Sequence, residues 1–152
     1  MLLAALPAAA YGVSLSQTPR LVAASGVTAR YADFTRKPGR IIYSGDGAAL
    51  VAGTSAVKGP IKWTVWNKVG GRGQGADWHN NCNPDCVGGN YHAYPASVHV
   101  YRARRVAGYL LFTRMTLTYT GAHPPYPGYK RGSVTFDLTY QTKYKTFVWS
   151  GG

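Results

Sequence analysis

Sixteen consecutive residues, Asp77 to His92, hold both cysteines of the chain and two of its four histidines: DWHNNCNPDCVGGNYH. Three chemistries are open to such a set. Cys82 and Cys86, separated by the turn-forming Asn-Pro-Asp, can close a disulfide that pins a loop with no core of its own. By chain entropy so short a loop gains about 2 kcal/mol. His79, Cys82, Cys86 and His92 are ligands of the type zinc takes, although their spacing matches no strong zinc-finger order. Asp77, Asn80, Asn81, Asn83 and Asp85 carry the oxygens calcium takes, without the bidentate Glu of an EF-hand. The disulfide is the simplest of the three, and no metal or cofactor is assigned.

Asp77, His79 and His92 are also the candidate acid–base set, because a His–Asp dyad can take and return a proton within one loop. The motifs that accompany such dyads in hydrolases are absent: there is no Gly-x-Ser-x-Gly and no His-Glu-x-x-His. Paired cysteines cannot act as nucleophiles. Residues 70–75, GGRGQG, have the glycines of a phosphate loop but lack the following Lys-Ser/Thr and the helix. Asp46 lies in a Gly-Asp-Gly turn, and His99 and Asp137 fall on outward strand positions. A non-enzymatic binding module is the leading reading. A small secreted hydrolase using Asp77, His79 and His92 is the alternative.

Charge points to the kind of partner. Lys and Arg number 17 against five acidic residues, all Asp, for a formal net charge of +12. Such a field draws polyanions. The basic residues are scattered, with Arg102, Arg104 and Arg105 the one cluster. Trp66, Trp78, Tyr91 and Tyr101 are the aromatics expected to stack on sugar rings beside them. The expected partner is an anionic cell-envelope polymer or glycan. Nucleic acid, which would use the same residues, ranks below it.

The elements that must position these residues follow from pattern. The opening MLLAALPAAAYG reads as a shortened signal peptide over residues 1–10, with Ala8 and Ala10 at a cleavage site, which directs the chain to the envelope or beyond. Residues 11–39 are polar, basic and without period, the composition of a flexible linker. Residues 40–152 are expected to form a single all-β domain. Within it RIIYSGDGAALVAG predicts strand, turn and strand. IKWTVWN alternates so that Trp63 faces one side and Trp66 the other. Asn67 to Asn90 reads as a long glycine-rich loop. YHAYPASVHVYRAR, GYLLFTRMTLTYTG, SVTFDLTY and YKTFVWS predict further strands, with Pro95 at an edge or bulge. No stretch approaches the ~20 apolar residues of a membrane-spanning helix. An antiparallel β-sandwich or small barrel with a long disulfide-pinned loop is the expected fold.

IKWTVWN, GRGQGADWHNNCNPDCVGGNYH and LFTRMTLTYT, together with YSGDG, resemble a group of small secreted actinomycete proteins. These share a Trp-rich strand, a Cys-x-Pro-x-Cys loop followed by Gly, and a Phe-Thr-Arg strand. The resemblance spans about residues 41 to 120. It implies secretion and a Cys82–Cys86 disulfide, and it implies no activity.

Overall fold

Alternating apolar and polar residues form antiparallel strands wherever one face of the pleat can be buried. The computed structural model describes residues 17–25, 34–129 and 132–151. The segment expected as a signal peptide lies outside them. Two short strands, β1 (Leu21–Val22) and β2 (Phe34–Thr35), pair with each other. The others are β3 (Arg40–Ile42), β4 (Ala49–Ala52), β5 (Lys62–Trp66), β6 (Gly70–Asn80), β7 (Tyr91–Val106), β8 (Tyr109–Tyr119), β9 (Ser133–Gln141) and β10 (Thr146–Gly151). They make one antiparallel sheet in the order β10-β9-β8-β7-β6-β4-β3, with β5 pairing β6 as well. The sheet curls into a half-barrel.

Its concave face is the core. Val51, Val98, Val100, Met115, Leu117, Phe136, Leu138 and Trp149 are buried there. Each such side chain contributes about 1.5–3 kcal/mol by leaving water. The convex face carries Arg72, Gln74, Ser97, His99, Thr116, Thr118, Thr135 and Asp137, the polar halves of the same alternations. Pro95 sits one residue past the last β7–β8 pair, Ala96 with Tyr119, at a local edge where no ladder needs its missing N–H.

Three expectations are corrected. The long glycine-rich loop begins only at Asn81, because residues 70–80 form β6, a central strand. Its glycines alternate: Gly71, Gly73 and Gly75 share a face with Asp77 and His79. A Cβ on Gly71 would lie 2.5 Å from the Trp66 ring, and one on Gly73 would lie 3.0 Å from the Trp63 ring. The bare backbone is the floor on which two indoles rest. The second correction concerns those indoles. A register shift between Trp63 and Val65 turns both toward the core, edge to face with centroids 4.8 Å apart, and leaves Val65 exposed.

The third concerns the linker. Residues 17–25 and 34–39, expected within a flexible 11–39 segment, belong to the fold. Leu21 and Val22 are fully buried. Arg20 bridges β8 at Leu111 and Ala24 bridges β3 at Ile42, both parallel. The Trp149 indole N–H donates to the Val22 carbonyl at 3.0 Å, and Trp66 donates to that of Pro19 at 3.2 Å. A short strap thus ties β3, β8 and β10 across the mouth of the curl. The pair Leu21-Val22 was too short to register as a strand against its polar surroundings.

The fit of the indoles to β6 is testable. Gly71→Ala is expected to destabilise the domain by about 1–3 kcal/mol through overpacking. Gly45→Ala, where no atom lies within 4 Å, should stay within about 0.5 kcal/mol of the parent. Urea denaturation of both variants checks the contrast.

Candidate functional site

Alternation along β6 sends Asp77 and His79 to the concave face, where a carboxylate must find donors or not be buried at all. Asp77 has no exposed surface. The Tyr43 hydroxyl donates to its Oδ1 at 2.6 Å, and the Tyr119 hydroxyl donates to Oδ2. His79 Nε2 lies 2.9 Å from Oδ2 and 2.9 Å from the Tyr43 hydroxyl. An ionised carboxylate can only accept, so Nε2 carries the proton. The Tyr129 hydroxyl lies 3.4 Å from that of Tyr43. Tyr43 follows β3, Tyr119 ends β8 and Tyr129 closes a single 3-10 turn at Pro127–Tyr129. Four parts of the chain therefore meet at one carboxylate.

Burial first, and the Asp77 charge second, push the Tyr43 and Tyr119 phenols far above the ordinary range. Burial pushes Tyr129 up to about 12, against the opposing Tyr43 hydrogen bond. These phenols are proton holders at any physiological pH. The network includes no Ser, Cys or Lys to act as a nucleophile, and both carboxylate oxygens are engaged. Its chemistry is that of a satisfied buried charge that locks side chains in place. His92 faces His79 across the β6–β7 register but is exposed and outside the network. The structure joins Asp77 to His79 and leaves His92 apart. The tyrosines were missed in the sequence, although Tyr119 ends the inward row Leu111, Thr113, Met115, Leu117 that faces Asp77's row.

The β6–β7 connection is closed by the Cys82–Cys86 disulfide. Asn80 holds it from within: its amide donates to the Cys86 carbonyl at 2.8 Å and its Oδ1 accepts the Cys82 N–H at 2.9 Å. Asn81 Oδ1 accepts from Asn83 and Asn90, and Asp85 Oδ1 accepts from Gly88. Of the oxygens that suggested calcium, Oδ1 of Asn80, Asn81 and Asp85 are spent on backbone N–H groups, and both of Asp77 are spent in the network. The cysteines that suggested zinc are bonded to each other.

The aromatics expected as a stacking surface are mostly engaged. Trp78 is buried beside Leu50, Ala52 and Ala76 in a small cluster on the convex side, its N–H donating to the Ala52 carbonyl at 3.1 Å. Tyr91 packs on that cluster, and Lys58 Nζ sits 3.2 Å from the centre of its ring. Trp66 is half-buried against Phe112, 5.4 Å between centroids. Tyr101 stacks on His99 at 4.5 Å and shares a hydrogen bond with Thr116 at 3.2 Å. Burial and the nearby Arg72 charge push the His99 imidazole down.

The arginine cluster is taken apart by the fold. Arg102, at a φ of 61°, is 4.0 Å from Asp137 on the convex face. Asp137 is gripped by Arg114 at 2.8 and 3.1 Å, which holds its carboxyl below the usual range. Arg104 is exposed opposite Leu111. Arg105 instead meets Arg20 and Arg36 in a cleft of about 140 Å³ at the strap. Beside it Lys37, Arg40 and Lys58 line a shallow groove of about 510 Å³. The cleft takes Arg36 into its lining and the groove takes its chain neighbours Thr35 and Lys37, so the two depressions are lined by six cations between them.

Two outcomes test the Asp77 network. Asp77→Ala strands two phenols and an imidazole, and should cost about 3–5 kcal/mol in denaturant unfolding, against about 1–2 kcal/mol for Tyr119→Phe. The network should also fail in alkali. The folded state holds the Tyr129 proton to about 12 whereas an ordinary phenol ionises at 10.0, so its stabilisation is whole below pH 10 and fades as pH rises toward 12. Tyrosinate absorbance should rise first for exposed tyrosines. A second, cooperative rise should then coincide with loss of the β circular dichroism signal.

No family model, curated protein or solved structure matches this chain.

Proposed function

We propose that this is a secreted, non-enzymatic β-domain that binds an anionic cell-envelope polymer or glycan along its strap side. One observation carries the reading. Of the Lys and Arg side chains among the described residues, only Arg102 and Arg114 come within ion-pair distance of a carboxylate, and both share Asp137. Arg20, Arg36 and Arg105 line one depression and Lys37, Arg40 and Lys58 another, all without a carboxylate partner among the described residues. Unpaired cations keep a strong outward field, and a linear polyanion relieves their mutual repulsion while releasing counterions. The disulfide supports an oxidising compartment. No helix among the described residues is long and apolar enough to cross a membrane. The aromatics support charge over sugar stacking as the source of affinity, because Trp78 and Tyr91 are already covered by protein atoms.

Binding to isolated wall that carries phosphodiester polymer tests this. Affinity should fall by about four orders of magnitude between about 50 and 500 mM salt, as for about six neutralised charges. It should drop as far when the polymer is stripped from the wall chemically. Binding that resists both treatments, or no binding at the lower salt, would overturn the proposal.

A further inference from the structure

The strap side is not uniform. Its groove is wide and shallow, whereas three arginines, Arg20, Arg36 and Arg105, line a cleft of about 140 Å³. We infer that this cleft is an anchor for one tetrahedral oxyanion, a phosphate or sulfate group of the larger ligand. The inference rests on the polyanion reading and names the group that the reading leaves open.

Three features carry it. The arginines come from three separate parts of the chain: the strap, the end of β2 and the β7–β8 turn. Two of the three side chains are held in place. Arg36 Nε donates to the Thr18 carbonyl at 3.2 Å and Arg105 Nη1 to the Gly108 carbonyl at 3.4 Å, both on the cleft wall. Arg20 is rooted by its own backbone, whose N–H donates to Leu110 at 3.1 Å and whose carbonyl accepts from Phe112 at 2.9 Å. Each guanidinium keeps N–H groups for a ligand, in the planar fork that suits two oxygens of one anion. Ala107 and Gly108, at φ of 48° and 86°, make the two-residue hairpin turn across which Arg105 donates to Gly108.

Size sets the class of ligand. A site for a whole small molecule occupies about 300–1,000 Å³. The cleft holds less than half of the lower figure, room for one charged group but not for a sugar ring or a base with it. Among the described residues no carboxylate lies within ion-pair distance of any of the three arginines.

The test uses the full chain, with inorganic phosphate, sulfate and acetate titrated at low salt and read by calorimetry and by the arginine Nε–H resonances. Phosphate and sulfate should saturate one site and move the Arg36 and Arg105 signals, whereas acetate should bind more weakly. Arg105→Gln and Arg20→Gln should each weaken phosphate binding about tenfold. Lys62→Gln, which removes one charge on the convex face, should change it less than about twofold. Equal losses in all three variants would mean a diffuse field and overturn the anchor, as would the absence of saturation. If phosphate does not bind but wall polymer does, the anchor fails and the polyanion reading stands. If phosphate binds at the arginines and wall polymer does not, the reading fails and the anchor stands. Phosphate and sulfate affinities that differ widely would identify which ester the ligand carries.

Discussion

A carboxylate buried with no exposed surface must be given donors by the parts of the chain around it, and Asp77 draws them from both sides of the curled sheet. Tyr43 leans in from beyond β3, Tyr119 from the end of β8, and Tyr129 follows through Tyr43. Removing any donor leaves charge or dipole unpaired in a poor dielectric, so the cost of error is steep. That steepness specifies how far the sheet curls at this end. β6 lies between β4 and β7 and carries the acid, so the strands on either side are positioned relative to it.

The opposite end of β6 meets a different constraint. Glycines on the concave row leave a trough, and Trp63 and Trp66 fill it through a bulge in β5. Trp66 then reaches the carbonyl of Pro19 and Trp63 that of Pro38. These indole N–H groups receive partners only because the strap and the residues after β2 lie across the curl. Core packing therefore recruits the segment that carries Arg20, Arg36 and Lys37. The basic tract is a by-product of how the barrel is closed: residues needed for the seam at Leu21, Val22 and Phe34 bring their charged neighbours to one side.

The charge balance along that side has a physical cost that the fold tolerates. Like charges repel, and the four acids among the described residues are spent elsewhere: Asp46 on a turn N–H, Asp77 in the core, Asp85 in the disulfide loop, and Asp137 on the convex face. Asp137 neutralises Arg114 and part of Arg102, the cations farthest from needing a ligand. Arg36 and Arg105 on the strap side are bonded to backbone carbonyls, which orient a guanidinium without cancelling its charge.

Much of this architecture was legible in the chain itself. Rows such as Val134, Phe136, Leu138 and Tyr140 define a strand and its inward face without any tertiary information, because the pleat has a period of two. The nearness of Cys82 and Cys86 pointed to the disulfide, and Asp77 stood out with His79 and His92 as an acid–base set within one loop. What sequence alone could not decide was which row faces which. Glycine carries no hydropathy, so GGRGQG read as loop until the indoles that fill its gaps were in view. Two buried residues, Leu21 and Val22, are too few to set a period. The clustering of Arg102, Arg104 and Arg105 was a nearness along the chain, and the left-handed backbone at Arg102 and the turn after Val106 dispersed it. The cluster that formed, Arg20 with Arg36 and Arg105, joins residues that no local pattern connects. Local periodicity encodes the face of each strand, while closure of the sheet determines which charges become neighbours.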